Sequence, residues 1–440
     1  MDELCARLLL YGDLGEQEIL PGLCRVYADW RQGRGSRGEL VRRVNSQVKA
    51  LLDLAAAYGF DHDLWRDYLT WLLTATENSF SLTAERRGLS QGSINSLALA
   101  DMQIFCQLMH FDFSPLEREL DLTCLSLLQS YQASPQPERS YNQRASQLLR
   151  RLSDDLAQAA PSQMLRLLAA WYRDHGVGCF GLNTAFRLQR RPGPGPLELL
   201  PISNAHRTLL SDLVGCQRQT DQLRANTEAF LRGLPANNVL LYGDGGCGKS
   251  SAVKALLNEY GDQGLRMIEI YKHQFRDLSQ LISQIKNRNY CFIIFIDDLS
   301  FEEDEAEYKF LKAVIEGGVE SKPDNILIYA TSNRRHLIRE VWGDRADMEH
   351  LADVHRSDTL EEKLSLASRF GVQINFPAPD RQLFWHILEE LACRQGLDLS
   401  GEELHALANQ WSLRQGGLSG RTARQLINHL AGQAGREEQP

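Results

Sequence analysis

Hydrophobic and polar positions follow two different periods, one in the N-terminal part of the chain and another in the C-terminal part. In the first part, apolar residues recur three and four positions apart, as at Leu51, Leu54, Ala55 and Tyr58. This spacing places them on one face of a helix. It predicts an all-helical N-terminal domain over residues 1–185.

Short β-branched and apolar runs alternate with helical patterns in the second part. The runs occupy residues 237–242, 265–271, 291–297, 325–331 and 372–376. Such alternation is typical of a parallel sheet that is covered by helices on both faces. We therefore predict an α/β core of three αβα layers over residues 202–376.

The remaining segments mark boundaries. Alternating Pro and Gly in RLQRRPGPGPLELLP disfavours both a helix and a central strand, so we predict a linker over residues 186–201. After the core, three helical patterns predict a helical lid over residues 377–433. The last residues, 434–440, are polar and predict a tail.

Gly243 through Ser250 reads GDGGCGKS and fits the phosphate-loop pattern G-x-x-x-x-G-K-S/T at every fixed position. An apolar strand precedes this loop and an amphipathic helix follows it. Glycines let backbone N–H groups converge on phosphates, Lys249 adds positive charge, and the Ser250 hydroxyl is suited to Mg²⁺. The predicted nucleotide-binding residues are Gly243, Asp244, Gly245, Gly246, Cys247, Gly248, Lys249, Ser250 and Ser251.

A second strand, CFIIFI, ends in two adjacent carboxylates, Asp297 and Asp298. The end of a parallel strand projects them toward the crevice in which phosphates bind. We predict that Asp297 holds Mg²⁺ together with Ser250, and that Asp298 orients or deprotonates the attacking water. Glu302 or Glu303 is the fallback base if Asp298 is too short.

The composition, the net charge and the cysteine spacing each disfavour certain classes of protein. The chain is 43% hydrophobic and 24% charged, with a formal net charge of −9, which disfavours broad capture of nucleic acid or of anionic membranes. The longest apolar runs are far shorter than the roughly 18 residues that a membrane helix needs. The nine cysteines are scattered without a CxxC pair, so neither zinc nor a disulfide framework is indicated. We expect a cytoplasmic protein without a membrane partner.

Residues 202–430 resemble the AAA-type ATPases. They most closely resemble a bacterial group of predicted AAA-type ATPases that is carried as a domain of unknown function. Besides the phosphate loop, the matching segments are IIFIDDLSFEEDE, YATSNRRHLI, LSLASRFGVQINF and SGRTARQLI. The Asp-Asp strand end is similar to the replication-initiator and helicase-loader branch, whereas the family usually has threonine in place of Cys247.

The resemblance implies roles for three further residues. Asn333 matches the first sensor, which reads the γ-phosphate. Arg369 matches the arginine finger, which acts on the nucleotide of a neighbouring subunit, and Arg421 matches the second sensor on the lid. The alternatives are Arg334 and Arg335 for the finger and Arg424 for the second sensor.

These features together predict an AAA-type ATP hydrolase with ATP and Mg²⁺ as cofactors. Because the finger acts in trans, we expect a homo-oligomer that does conformational work on an unidentified protein client. Two alternatives stay open. One is a nucleotide-gated adaptor with little hydrolysis that docks targets through residues 1–185. The other is a helicase-loader-like nucleic-acid accessory protein, which the acidic balance disfavours.

Overall fold

The computed structural model describes residues 1–15, 18–133, 141–190, 197–202, 208–301, 307–316, 323–333, 366–397, 399–415 and 417–437. The chain divides into two compact units. The first comprises Met1–Thr184 with Pro201–Asn204, and the second comprises Ala185–Leu200 with Ala205–Pro440.

The first unit is built from helices, which confirms the prediction from the periodicity. They are α1 (Asp2–Cys5), α2 (Ile19–Arg31), α3 (Arg37–Tyr58), α4 (Leu64–Ala75), α5 (Ser79–Arg87), α6 (Ser93–Met109), α7 (Ser114–Leu120), α8 (Cys124–Gln129), α9 (Gln143–Gln158), α10 (Pro161–Asp174) and α11 (Cys179–Leu182). Helix α4 is buried along most of its length and contacts α3, α6, α8, α9 and α10. It therefore forms the centre of this unit.

A buried carboxylate ties the start of the chain into the helical unit. Asp101 on α6 is fully buried and accepts hydrogen bonds from the backbone N–H groups of Leu9, Leu10 and Tyr11 at 3.0, 2.8 and 3.1 Å. The Tyr11 hydroxyl in turn lies 2.8 Å from that of Tyr172 on α10. Because these N–H groups satisfy the carboxylate, the charge of Asp101 is buried without being left unpaired.

The second unit contains a seven-stranded sheet in the order β2-β1-β4-β5-β6-β3-β7. The strands are β1 (Ala185–Gln189), β2 (Glu198–Pro201), β3 (Val239–Gly243), β4 (Leu265–Ile270), β5 (Cys291–Ile296), β6 (Ile326–Ser332) and β7 (Val372–Phe376). All pairs from β1 through β4, β5, β6 and β3 to β7 are parallel. The five predicted strands are present, and the predicted αβα fold class is confirmed.

Helices connect the strands, as parallel pairing requires. They are α12 (Gln217–Leu231), α13 (Lys249–Tyr260), α14 (Leu278–Ile285) and α15 (Glu307–Glu316). Every residue of β6 is buried, and β5 is buried from its second residue onward. This explains why these two strands are almost continuously apolar.

The predicted linker over residues 186–201 is too wide. Strands β1 and β2 occupy its two ends and belong to the sheet. The alternating Pro and Gly fall within residues 191–196, which lie outside the described residues, and Pro201 ends β2. AFRLQ before them has a buried face and an exposed face.

Three helices follow β7, as predicted for the lid: α16 (Arg381–Arg394), α17 (Gly401–Gln415) and α18 (Gly420–Glu437). They bury a small core of their own around Phe384, Leu388 and Leu426. Helix α18 continues to Glu437, so residues 434–437 are helical, whereas we predicted a tail from residue 434 onward. A last helical turn can form there because it needs only local hydrogen bonds. No helix in the described part of the chain is long and apolar enough to cross a membrane.

The buried Asp67 on α4 provides a test of the helical unit. Burial raises its pKa to about 6 from an ordinary value of 3.8. The folded state therefore loses stability as the pH rises from about 4 to about 6. We expect Asp67→Asn to stabilise α4 by on the order of 2 kcal/mol near pH 7, and by little near pH 4.

Hydrogen–deuterium exchange of the α4 amides in the full chain measures this effect at each pH. Asp61→Asn is the control, because the Asp61 side chain is 50% exposed beside Arg150 and should give no comparable gain. Unchanged or weaker protection of α4 in Asp67→Asn near pH 7 would contradict the expectation.

Candidate nucleotide-binding site

A cleft of about 530 Å³ lies in the second unit between the carboxyl edge of the sheet and the lid. The structure places most of the predicted site residues on its walls, namely Gly246, Cys247, Gly248, Lys249, Ser250, Ser251, Asp297, Asp298, Asn333 and Arg421. Gly243, Asp244 and Gly245 complete the same loop behind them. The structure does not bring Arg369 to this cleft.

The backbone of the loop needs glycine at particular positions. Gly243, Gly246 and Gly248 have φ angles of +133°, +80° and +94°, which side-chain-bearing residues rarely adopt. A Cβ at Gly243 would also lie 2.1 Å from the carbonyl oxygen of Phe376. The next residue, Asp244, donates its N–H to that same oxygen at 3.2 Å. The loop is thereby attached to the end of β7.

Lys249 is the first residue of α13 and is only 6% exposed. Its ammonium group donates hydrogen bonds to the carbonyl oxygens of Gly243 at 2.8 Å and Asp244 at 2.6 Å, and to Oδ1 of Asn333 at 3.0 Å. Burial lowers the pKa of Lys249, while Cys247 and the carboxylate of Asp244 oppose that shift. The lysine is thus held at the loop by acceptors that carry no full charge.

Asp297 follows β5 and meets the loop from the other side. Its Oδ1 accepts hydrogen bonds from the Ser250 hydroxyl at 2.5 Å and the Thr331 hydroxyl at 2.6 Å. Thr331 Oγ1 also accepts the backbone N–H of Asp298 at 3.0 Å. Carboxylate and hydroxyl oxygens are the ligands that Mg²⁺ prefers, so this group fits a magnesium ion.

Thr331 was missed by the sequence reasoning. It lies two residues before Asn333 at the end of the apolar run NILIYAT, and that position was the available signal. Its contact with Asp297 depends on the pairing of β5 with β6, in which Ile296 lies opposite Ala330.

Asp298 has a left-handed backbone conformation, with φ +53°, which aspartate tolerates better than most residues. Successive side chains of an extended strand point to opposite faces, so Asp297 and Asp298 would otherwise diverge. Instead, Oδ1 of Asp298 accepts a hydrogen bond from Nδ2 of Asn333 at 2.8 Å. Since Asn333 also binds Lys249, one amide connects the acidic strand end with the phosphate loop.

Two cysteines lie beside the loop. Cys247 is 8% exposed, and the Cys216 thiol donates to its carbonyl oxygen at 3.7 Å. Burial raises the pKa of both thiols. They therefore remain protonated at neutral pH and act as small packing groups here.

The lid contributes one face of α18 to the cleft. Arg421, Arg424, Gln425 and Asn428 line it, at the spacing of neighbouring helical turns. The backbone N–H of Arg421 donates to the carbonyl oxygen of Gly246 at 3.1 Å, which fixes the start of α18 against the loop. Arg424, the alternative second sensor, therefore shares the cleft with Arg421.

The cleft also has an apolar wall that was not predicted from the sequence. Leu383, Ile387 and Leu391 of α16 line the cleft at intervals of four residues, together with Leu213 and Val214. The spacing is visible in the sequence, but it is equally typical of a helix that only packs. A flat apolar group such as a nucleobase suits this wall.

Arg369 is exposed and lies just before β7. The carboxyl end of that strand, at Phe376, contacts the loop. Arg369 therefore lies at the other end of β7, where the parallel strands begin. The five residues of β7 span about 16 Å at the usual rise per residue. Arg334, Arg335, Glu302 and Glu303 lie outside the described residues.

Comparison with known proteins gives one family and several distant relatives. The family described as "Protein of unknown function (DUF815)" matches residues 182–434. A proteasome-activating nucleotidase of Pyrococcus horikoshii is 27% identical over 214 residues, which cover 45% of this chain and 50% of that protein. The chain thus spans about half the length of this curated relative.

Two solved structures are similar at low identity. The RuvB Holliday junction branch migration motor of Thermotoga maritima is 15% identical, with a TM-score of 0.35, over 50% of this chain and 63% of that one. The FIGL-1 AAA domain in complex with ADP is 17% identical, with a TM-score of 0.36, over 53% and 75%. Neither similarity is strong enough to carry a functional conclusion.

The loop geometry predicts different outcomes for two neighbouring glycines. Gly243→Ala should lower the thermal unfolding midpoint of the full chain by several degrees, because the new Cβ would collide with the Phe376 carbonyl at a strained φ. Gly245→Ala is the matched control, since a Cβ there meets open space. Calorimetry of the two variants measures the difference, and equal midpoints would contradict it.

Proposed function

The chain belongs to the DUF815 family of proteins of unknown function, and we propose that it is an AAA-type ATPase that binds ATP with Mg²⁺ and hydrolyses it to ADP and phosphate. The observation that carries the proposal is the hydrogen-bonded connection of Lys249, Asn333 and Asp298 in one cleft. The similarity to a nucleotidase supports nucleotide-dependent activity in general.

The residues at the strand end fit the metal. Ser250 and Asp297 would hold Mg²⁺, with Thr331 orienting the Asp297 carboxylate through its hydroxyl. When bound, the ion would neutralise charge on the β- and γ-phosphates.

The chain's own groups divide the remaining work. Backbone N–H groups of the loop and the positive start of α13 bind the phosphates, and Lys249 adds its charge there. Asp298 orients a water molecule or accepts its proton. Asn333 donates its amide N–H to Asp298, and its amide oxygen accepts a hydrogen bond from Lys249. In this proposal, Asn333 both senses the γ-phosphate and positions Asp298.

The lid completes the site. Arg421 extends from a helix whose backbone is bonded to Gly246 of the loop. A phosphate that draws in the Arg421 guanidinium would therefore pull the lid toward the core. This is the step by which we propose that nucleotide state becomes conformational change.

The proposal that subunits assemble rests on Arg369, which lies at the end of β7 that is away from the cleft of its own subunit. As the arginine finger, it would act on the nucleotide of a neighbouring subunit, and this requires a homo-oligomer. We propose an unidentified protein as the client, since the net charge of −9 disfavours nucleic acid. A cytoplasmic location stays a prediction.

Variants of Asp298 and Asn333 should lose turnover while they keep nucleotide binding. Asp298→Asn keeps the size of the side chain but removes the base, so we expect ATP affinity within about threefold of the native value and a kcat lower by about 10²–10⁴-fold. Asn333→Ala should act in the same direction, because it frees Asp298. Equilibrium binding and steady-state phosphate release measure the two quantities. Unchanged turnover in Asp298→Asn would remove this residue from the mechanism.

Mixing two inactive variants tests the finger in trans. Lys249→Ala lacks a working loop but retains Arg369, whereas Arg369→Ala has the reverse defect. Each alone should lose about 10³-fold in turnover. Mixed oligomers should regain activity, because an intact loop then meets an intact finger, and specific activity of the native chain should rise with protein concentration.

Arg232→Ala is the control, because this side chain is 70% exposed and pairs with Glu228 away from the cleft. Full activity of Arg369→Ala, or no recovery on mixing, would exclude the trans role. Nucleotide binding through Lys249 without turnover at any concentration would instead favour the nucleotide-gated adaptor.

A further inference from the structure

A row of charged side chains leads from β1, the strand next to the edge of the sheet, to the predicted metal carboxylate. Arg187 on β1 pairs with Glu269 on β4, with 3.0 Å between Nη2 and Oε2. The other oxygen of Glu269 lies 3.7 Å from the ammonium of Lys254 on α13. The same ammonium lies 3.8 Å from Oδ2 of Asp297. None of the roles proposed above uses Arg187, Glu269 or Lys254.

The strand register explains why these groups meet. Arg187 lies opposite Glu269, and Glu269 lies opposite Phe295, so the three side chains share one face of the sheet. Asp297 continues that face two residues later. The Lys254 ammonium, 5.6 Å from the centre of the Phe295 ring, sits above this face.

Asp297 uses its two oxygens differently. Oδ1 accepts from Ser250 and Thr331, whereas Oδ2 faces Lys254. Lys254 and Asp297 are 35% and 33% exposed, and Glu269 is 16% exposed, so the pairs are partly screened from water. Lys254 is thus shared between two carboxylates, and Arg187 competes with it for one of them.

We propose that Lys254 is a positioning residue that balances the charge of Asp297 when no metal is present, and that Glu269 and Arg187 set how strongly it does so. This inference rests on the proposed nucleotide function. With Lys254 at Asp297, the carboxylate repels phosphates less, so nucleotide without Mg²⁺ is tolerated. When the metal brings its own charge, Lys254 is free to turn to Glu269.

The outer end of the row lies close in sequence to the helical unit. Arg187 follows Thr184, the last residue of the continuous segment of that unit, by three positions. A change in β1 that draws Arg187 away from Glu269 would therefore alter the cation balance at Asp297.

The test measures the affinity of the full chain for fluorescently labelled ADP with excess Mg²⁺ and with EDTA. The quantity compared is the metal ratio, defined as Kd in EDTA divided by Kd in Mg²⁺. Lys254→Met should raise this ratio about three- to fivefold, because Asp297 then repels metal-free phosphates. Lys254→Arg keeps the charge and should leave the ratio near the native value.

The other two members should shift the ratio in opposite directions. Glu269→Gln should lower it, because Lys254 is then no longer shared. Arg187→Gln should raise it by about twofold or less, because Glu269 then attracts Lys254 more strongly. Arg232→Gln removes a similar ion pair elsewhere and should leave the ratio unchanged.

A double variant separates action through Asp297 from a direct effect on the phosphates. If Lys254 acts through Asp297, then Lys254→Met should not change the ratio in an Asp297→Asn background. An undiminished effect there would overturn the inference, as would native ratios in all single variants. In both cases the proposed function would stand, since the native chain still binds. Failure of the native chain to bind ADP in either buffer would overturn both.

Discussion

The parallel pairing of β3 with β6 on one side and β7 on the other is the constraint on which the site depends. Tyr242 lies opposite Ser332, and Gly243 lies opposite Phe376. The chain therefore leaves β3 into the phosphate loop at the level where β6 delivers Asn333 and β7 delivers its last carbonyl oxygen. A slip of one residue would turn the side chains of one strand to the other face, and the hydrogen bond between Lys249 and Asn333 would be lost.

Positive and negative side chains occupy different walls of the cleft. Among the described residues that line it, Lys249, Arg421 and Arg424 carry positive charge, and Asp212, Asp297 and Asp298 carry negative charge. The basic groups come from the loop and the lid, whereas two of the acids come from one strand end. A triphosphate with a divalent cation offers the complementary pattern, with its anionic oxygens toward the loop and lid and its metal toward Asp297.

The sequence was informative wherever a function is encoded locally. The phosphate loop, the Asp-Asp strand end and the alternation of strands and helices are each contained in a short segment, and each lies where it was predicted. Thr331 and Lys254 could not be found in the same way, because their contacts arise from register between strands and from a helix crossing the sheet. The linker was drawn too wide for a similar reason: alternating Pro and Gly mark the middle of the segment, but its two ends belong to β1 and β2 of the sheet.

The geometry of β7 bears on how neighbouring subunits would communicate. One end of this short strand accepts the N–H of Asp244 at Phe376, and Arg369 precedes the other end. Hydrogen bonds to β3 along its whole length make β7 a rigid connection. If Arg369 serves a neighbour's nucleotide as proposed, then a movement of the loop in one subunit displaces the finger that enters the next. The same strand that completes a subunit's own site would thus transmit its nucleotide state around the assembly, without a separate signalling element.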